Sequence, residues 1–582
     1  MPQQSSWGND RMIALGIHDG HNSSAALLVD GRVVAAVQEE RLSGIKNQAG
    51  VPRLAIDEVM RLAGLGWADV NVVALHSGHM PYARSWEELY DHYRKVGKLS
   101  GRLRGALRRT PVNFVFRQRR RADRLAELRR SGVPIDKIRI VEHHTAHAAA
   151  AYFGSSWRED PALVLTCDGA GDDLCATVSI GRGLTLDRRV VIAEAESLGN
   201  VYALVTFLLG MVPNEHEYKL MGMAPYAPLD GATRSRRVFD RVAQFAADGR
   251  PEWRRKRGVP PTYYSLEWLK KELEFHRFDW ICAGLQSWLE DTLVEWVHRA
   301  ITLTGLRRVA LGGGVFMNVK ANQRILEMPE VESLFVFPSC GDESNAIGAA
   351  YSVTAAEFAR GGRSAAAIPP IRDVYWGADI LDGDVERALR PLRGRYRIER
   401  PADIESAVAA LLADGVVVAR CKGRMEFGAR ALGNRSILAD PGRMEVIRTI
   451  NEMIKNRDFW MPFASSILAE RRHEYLQNPK DIPSPYMILA FPSTDRIHEF
   501  RAGAHPYDLT VRPQVVEREW NPDYHRLISL FASRTGKGVI LNTSLNLHGH
   551  PMVSGPKEAL HVFQTSGLKT LALGSFLISK AD

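Results

Sequence analysis

Apolar and polar positions alternate in short blocks from the start of the chain. Met12 to Ile17 is apolar, His18-Asp19-Gly20-His21-Asn22-Ser23-Ser24 is polar, and Ala25 to Val29 is apolar again. Asp30-Gly31 is a hairpin turn signal, and Arg32 to Gln38 continues as the paired strand. The same order returns later. Leu163 to Thr166 reads as a strand, Cys167-Asp168-Gly169-Ala170-Gly171-Asp172 as a loop of small residues, and Leu174 to Ile180 as a second strand. Gly181-Arg182-Gly183 turns it, and Leu184 to Ile192 forms the third. Two strand–loop–strand units roughly 150 residues apart predict an internally duplicated α/β domain. Each loop offers backbone N–H groups to an anion between the two copies.

Helical spacing follows over Asn200 to Leu209, Leu266 to Leu273 and Leu285 to Thr304. Arg308 to Leu311 reads as a strand running into Gly312-Gly313-Gly314, and Ala346 to Tyr351 as a helix of small residues. From Ala355 the periodicity is lost, and the stretch ends in Pro369-Pro370. This places a linker at 361–374, between a first domain at 1–360 and a second at 375–582. Strands of the second domain include Val416 to Arg420 and Val539 to Leu541. A chain of 582 residues exceeds one compact core, so two domains are expected on length as well.

Composition narrows the class. Hydrophobic residues make up 45% and charged residues 25%, an ordinary globular balance. The first ten residues are polar, which argues against a secretory signal, and no apolar run is long enough to span a bilayer. Five scattered cysteines form no C-x-x-C pair, the pattern of a reducing compartment, so a cytoplasmic protein without a membrane partner is expected. The net charge of +9 comes largely from Arg94 to Arg130 and from Arg254 to Arg257. A basic stretch can grip nucleic acid, but no RNA-binding signature accompanies this one, and Leu103, Leu107, Leu125 and Leu128 fit a solvated helical face instead.

Candidate chemistry starts at Glu142-His143-His144-Thr145-Ala146-His147. Positions four apart share a helical face, so His143 and His147 can chelate one divalent metal, while His144 points elsewhere. Asp168 and Asp342 are candidate oxygen ligands in loops that follow strands; a helix N-cap is the other reading of Asp342. Gly312-Gly313-Gly314, with Asn318 after it, lets backbone approach a nucleotide closely, or simply makes a tight turn. The segment Gly423 to Ser436 sets arginines, Arg430 among them, between glycines. Lys455, Arg457 and Arg512 add charge, and Asn542 opens a run of short polar residues. Guanidinium groups bind phosphate bidentately, so these segments suit a multiply charged anion.

In their order along nearly the whole chain, these motifs resemble the NodU/CmcH family of carbamoyltransferases. The match runs through His21 to Leu27, Glu39-Glu40-Arg41 to Lys46, His143 to Ala148, Cys167-Asp168-Gly169 and Tyr218 to Ala224. It continues through the Gly312 loop, Gly341-Asp342-Glu343, the Arg430 segment and Asn542 to Asn546. The resemblance implies an N-terminal actin-like domain similar to the tRNA threonylcarbamoyl transferases and a C-terminal YrdC-like domain. It further implies that carbamoyl adenylate is made from ATP, with magnesium, and carbamoyl phosphate in the second domain. The carbamoyl group is then passed to a hydroxyl of a small-molecule acceptor, a natural product or antibiotic, in the first. A metal, iron(II) in close relatives, is implied on His143, His147, Asp168 and Asp342. His21 matches a residue beside the acceptor that could act as general base, and Lys46 a lysine that contacts the adenylate. Arg430, Lys455, Arg457, Arg512, Asn542 and Ser554 match positions around ATP and carbamoyl phosphate. A homodimer is compatible with all of this. A tRNA threonylcarbamoyl transferase-like enzyme is the alternative. The chain departs from the family pattern at Ala429, Met461, Ser465 and Leu509.

Overall fold

The computed structural model describes residues 11–79, 86–95 and 111–580. The middle of the basic stretch, 96–110, lies outside the described residues.

The two strand–loop–strand units form two five-stranded sheets of the same design. In the first, β1 (Ile13–His18), β2 (Ser24–Val29) and β3 (Arg32–Gln38) run as an antiparallel meander. β4 (Val72–His76) and β5 (Ile138–Val141) then add in parallel beside β1, for an order β3-β2-β1-β4-β5. In the second, β6 (Ala162–Gly171), β7 (Leu174–Arg182) and β8 (Thr185–Ala193) repeat the meander. β9 (Arg308–Gly312) and β10 (Ser333–Val336) add in parallel beside β6, so the order is β8-β7-β6-β9-β10. The identical order and strand sense are the duplication that the hydrophobic pattern predicts. Central strands β1, β2 and β4 are buried at every position, as strands covered on both faces must be.

The last helix of each copy, His143–Gly154 and Asn345–Arg360, pack against each other between the sheets. Their contact is close because small residues meet there. A Cβ on Gly348 would stand 1.9 Å from the Ala146 carbonyl oxygen, and one on Gly16 in β1 would stand 1.8 Å from the Ala346 oxygen. Between β8 and β9 the second copy holds a largely helical insertion, including Leu198–Leu208, Glu217–Met223 and the long Phe278–Thr304.

The remainder is built on an eight-stranded mixed sheet. Its order is 397–399, 576–579, 570–573, 418–421, 435–439, 539–544, 464–468, 513–516. Helices Ile404–Ala413 and Pro522–Thr535 cover one face, and Glu445–Ile450 and Pro556–Thr565 pack on the other. This portion is fastened to the duplicated one by side chains that cross between them. Lys480 Nζ donates to the carbonyls of Leu326, Met328 and Val331 at 2.6–2.7 Å, and Asn322 Nδ2 donates to the Ile488 carbonyl at 2.9 Å.

Three expectations need correction. The Cys167–Asp172 stretch is not an open loop: β6 continues through Gly171, with a register irregularity after Cys167 that lets Asp168 leave the ladder. The helix expected over Ala346 to Tyr351 runs on to Arg360, so helix persists past Ala355; its alanines pack on β1 and β4 and need no strong polar face. The helix expected from Leu285 begins at Phe278. Leu509, one of the positions where a departure from the expected pattern is noted above, adopts a left-handed backbone at φ 58°.

Replacing Gly348 with valine should drive the two central helices apart, at a cost of more than about 3 kcal/mol. Urea unfolding of the full chain monitored by circular dichroism measures this. A variant as stable as the parent would mean the helices are free to separate.

Candidate active site

Glu142 caps the helix that holds the histidines. Its side chain accepts hydrogen bonds from the backbone N–H groups of His144 at 3.1 Å and Thr145 at 2.8 Å. The cap fixes the start of the helix, which sets His143 and His147 one turn apart on a single face. Asp168 reaches that face from β6, and Asp342 reaches it from the turn Asp342–Ser344 that leads into the equivalent helix of the second copy. Asp168 Oδ2 lies 3.2 Å from His143 Nε2 and 2.9 Å from His147 Nε2. Asp342 Oδ1 lies 3.8 Å and 3.3 Å from the same two nitrogens. One ligand atom from each of the four residues lies within 4.8 Å of the others. Two imidazole nitrogens and two carboxylate oxygens suit a first-row divalent cation such as iron(II) or zinc, so these residues fit the expected metal.

Burial alone would lower both histidine pKa values, but the two carboxylates outweigh it. His147 is pushed up to about 9, and His143 is also raised. Burial would raise Asp168, yet the two imidazoles hold it well below the usual carboxylate range.

Two buried histidines orient the metal-facing ring of His143. His18 Nε2 lies 2.9 Å from the His21 carbonyl oxygen, which can only accept, so this nitrogen must bear the hydrogen. Burial lowers the pKa of His18 and His76, which keeps both neutral. The unprotonated His18 Nδ1 therefore accepts from His76 Nδ1 at 2.9 Å, and His76 Nε2 accepts from His143 Nδ1 at 3.0 Å. One backbone carbonyl thus sets the tautomer of three rings in series and leaves His143 Nε2 as the nitrogen that faces Asp168. Buried metal-binding histidines are commonly fixed this way through their second nitrogen. His144 turns away and hydrogen-bonds Thr166 Oγ1 at 2.8 Å.

The polar loops around the site are pinned by residues that spacing alone did not single out. Arg124, from the basic stretch, is turned inward: it donates to both oxygens of Asp19 at 2.5 and 2.7 Å and to the carbonyls of Ser77 and His76. Arg117 pairs with Asp173 at 2.6 Å. Asp172 accepts from the His143 backbone N–H at 2.9 Å and from Gly78 at 3.1 Å, and its pKa is depressed although burial opposes this.

A cavity of about 850 Å³ opens over the four-residue cluster and continues to the C-terminal portion. His21, Lys46, Gly314 and Asn318 line it with His143, Asp168 and Asp342. His21 Nε2 is buried without a hydrogen-bond partner, and burial lowers its pKa. Lys46 Nζ lies 3.2 Å from Glu40 Oε2. Gly312 and Gly313 do not reach the cavity wall. A Cβ on Gly313 would stand 2.3 Å from the Cys167 oxygen, and one on Gly312 would stand 2.7 Å from the His147 oxygen, so these two glycines admit neighbouring backbone. Asn318 caps the helix Val319–Glu327.

From the C-terminal portion, Arg430, Lys455, Arg457 and Arg512 line the same cavity. The helix Glu445–Ile450 widens into a π turn over Asn451–Lys455 and stops at Asn456 in the left-handed region. That turn aims Lys455 at Asn546 Oδ1, 2.6 Å away. Arg457 donates to Thr543 Oγ1 at 3.0 Å. Among the described residues no carboxylate forms an ion pair with any of these four cations. Burial lowers all of them, Arg457 to about 10, and repulsion from a neighbouring cation adds to it at Lys455, Arg457 and Arg512. Asn542 and Ser554 are not brought to the cavity wall. Asn542 lies buried behind it, donating to the Ala431 carbonyl at 3.1 Å, and the Ser554 carbonyl accepts from Arg435 at 3.1 Å.

Comparison with known proteins agrees along the length of the chain. A model described as carbamoyltransferase N-terminus matches residues 13–351, and one described as carbamoyltransferase C-terminus matches residues 409–580. Nodulation protein NolNO of Sinorhizobium fredii is 32% identical over 568 residues, 96% of this chain and 79% of that protein. The 3'-hydroxymethylcephem-O-carbamoyltransferase of Amycolatopsis lactamdurans is 30% identical over 278 residues, 47% of this chain and 49% of that protein. Among solved structures, (R)-2-hydroxyglutaryl-CoA dehydratase component A of Acidaminococcus fermentans aligns with 59% of this chain and 99% of its own. It does so at 16% identity and a TM-score of 0.32, too slight a likeness to bear on function.

Two outcomes are expected at the histidine cluster. A cation must displace the proton that His147 holds up to about pH 9 in the metal-free protein. Metal affinity should therefore rise about tenfold per pH unit from 7 to 9 and flatten above, as read by competition with a chromophoric chelator; a flat profile contradicts this. Replacing His76 with phenylalanine should weaken metal binding by roughly 10–100-fold while circular dichroism stays unchanged.

Proposed function

The chain belongs to the carbamoyltransferase family, and from that premise we propose that it is an ATP-dependent O-carbamoyltransferase working through two half-reactions in one cavity. The observation behind this reading is that one cavity holds both a histidine–carboxylate cluster and four cations that, among the described residues, have no carboxylate ion-pair partner. A buried group of like charges is costly unless an anion belongs with it. Phosphate groups suit the arginine-rich end.

In this reading residues 1–360 form an actin-like transfer domain and 375–582 a YrdC-like adenylating domain, joined by 361–374. Carbamoyl phosphate loses its phosphate to water at the cation cluster. An oxygen of the resulting carbamate attacks the α-phosphorus of ATP, pyrophosphate leaves, and carbamoyl adenylate forms. Arg430, Lys455, Arg457 and Arg512 neutralise the charge that gathers on the phosphates. The adenylate then crosses the cavity past Lys46. At the other end the acceptor hydroxyl oxygen attacks the carbamoyl carbon, the bond to AMP breaks, and the hydroxyl proton passes to His21. Its buried, unpartnered Nε2 and lowered pKa keep that ring in its basic form near neutral pH. A divalent metal, iron(II) by family resemblance, held by His143, His147, Asp168 and Asp342, would supply Lewis-acid stabilisation of negative charge.

The acceptor is a small-molecule hydroxyl compound. The cephem relative's printed name makes it an O-carbamoyltransferase, which supports a hydroxyl acceptor here. Arg117 and Arg120 line the cavity, but Arg117 is neutralised by Asp173, so a neutral polar acceptor fits better than a polycation. The inward turn of Arg124 also removes it from any surface that could grip tRNA, which disfavours the threonylcarbamoyl alternative.

Labelled carbamoyl phosphate and ATP should yield AMP and pyrophosphate without ADP; ADP as the product sinks the reading in favour of a kinase. Changing His143 to alanine should reduce transfer at least a hundredfold while pyrophosphate release persists. Changing Arg512 to alanine should do the reverse. Equal loss of both steps in both variants contradicts the division of labour.

A further inference from the structure

The short helix Glu217–Met223 lies in the insertion of the duplicated portion, yet the C-terminal portion clasps it. Lys219 Nζ lies 3.1 Å from Asp458 Oδ2, and Trp460 Nε1 donates to the Lys219 carbonyl at 3.1 Å. His505 Nε2 lies 2.9 Å from the Gly222 carbonyl oxygen and must be the donor there. Gly222 leaves room for this fit, since a Cβ would stand 3.3 Å from Met461 Sδ and 3.4 Å from the Trp460 oxygen. Three anchors within four residues leave the helix little freedom to turn.

The clasp has a consequence for the residue beside it. Tyr218 lines the cavity, together with Arg430, Arg457 and Arg512. It is 38% exposed, so part of its ring faces open space instead of packed protein. Its neighbour Lys219 pairs with Asp458, the residue after Arg457, so the clasp holds Tyr218 on the side of the cavity that these arginines line. A phenol among cations turns its oxygen lone pairs toward them, which leaves the O–H directed at whatever anion the cations hold. Among the described residues no carboxylate forms an ion pair with these three arginines.

We propose that the phosphate site of the C-terminal portion is composite: Tyr218, delivered on the Glu217–Met223 helix, donates its phenol O–H to the phosphoryl group that Arg430, Arg457 and Arg512 hold. The proposal rests on the reading that this cluster binds the phosphates of carbamoyl phosphate and ATP. The three arginines supply charge but tolerate many anion shapes. A neutral donor fixed by an independent element adds direction, and it makes the first half-reaction depend on the helix being seated. Tyr218 is in this sense a binding residue for the adenylating step and has no part in acceptor transfer.

The test uses the full chain and its Tyr218→Phe variant, which removes one O–H and keeps the ring. Inorganic phosphate is the probe, titrated by calorimetry. The variant should bind it about tenfold more weakly, the expected loss for one hydrogen bond to a charged acceptor. The KM for carbamoyl phosphate in pyrophosphate release should rise by a similar factor. Metal content, thermal midpoint and transfer from preformed carbamoyl adenylate should stay at parental values, which a merely structural role for the ring would not separate from binding. Equal phosphate affinity in parent and variant overturns the proposal, as does the absence of saturable phosphate binding by the parent. If the parent binds phosphate but releases no pyrophosphate from ATP and carbamoyl phosphate, the adenylation reading falls. The phosphate titration still decides the composite site.

Discussion

The His143–Gly154 helix is met at close quarters by glycine on three sides. Gly348 of the equivalent helix faces the Ala146 carbonyl, Gly312 at the end of β9 faces the His147 carbonyl, and Gly171 at the end of β6 faces the His143 ring. At each point an added Cβ would come within 2.7 Å of the helix. This proximity of backbone brings Asp168 and Asp342, whose own side chains are short, within reach of two imidazoles. A metal cluster assembled from aspartates cannot tolerate elements held apart by larger side chains. The alanines from Ala148 to Ala151 serve the same end from within the helix. Close packing of small residues is therefore the condition on which the candidate transfer site depends, and the core acts as part of the site.

The cavity joins two groups of opposite character. In one group buried acids depress or raise each other's proton affinity until imidazole and carboxylate form a compact mixed cluster. In the other group like charges are packed together, and their proton affinities fall through burial first and through repulsion from neighbouring cations second. The like-charge group raises the energy of the isolated protein and lowers that of an anion complex, whereas at the mixed cluster a cation competes with the proton for the same nitrogens. One cavity holds both groups, which is what the proposed two-step reading requires.

The frame was legible in the sequence because it is periodic. Alternating strand blocks, repeated in the same order, point to two copies of one unit, and the sheets have the same strand order in both. His143 and His147 were legible for a similar reason, since helical spacing puts them on one face. Other features had no local signature. The His18–His76–His143 series joins residues up to 67 positions apart through ring nitrogens whose pairing depends on the sheet register. Arg124 looks like its arginine neighbours, and only the fold shows that it turns inward onto Asp19. The Gly312 and Gly313 pair fits a nucleotide loop by composition, but a glycine that admits a ligand and one that admits neighbouring backbone look alike in a sequence. Asn542 and Ser554 illustrate the opposite problem: both lie near the right strands, yet neither is brought to the cavity wall.

Duplication explains the frame, and its departures from symmetry explain the chemistry. The first copy contributes imidazoles, His143 and His147 on its last helix and His18 and His21 beside its first strand. The second copy contributes carboxylates, Asp168 beside its first strand and Asp342 ahead of its last helix. Equivalent positions in the two copies thus offer complementary groups, and the pseudo-symmetric packing of the two helices makes them converge. The larger break in symmetry is the insertion between β8 and β9, for which the first copy has no equivalent of the same kind. From that insertion comes the Glu217–Met223 helix, the element that the C-terminal portion clasps. A duplicated frame can build a transfer site by itself, but coupling it to a second reaction needs an element that belongs to one portion and is held by the other. The insertion supplies that element, and on the proposed reading the seating of one short helix is a condition of the first half-reaction.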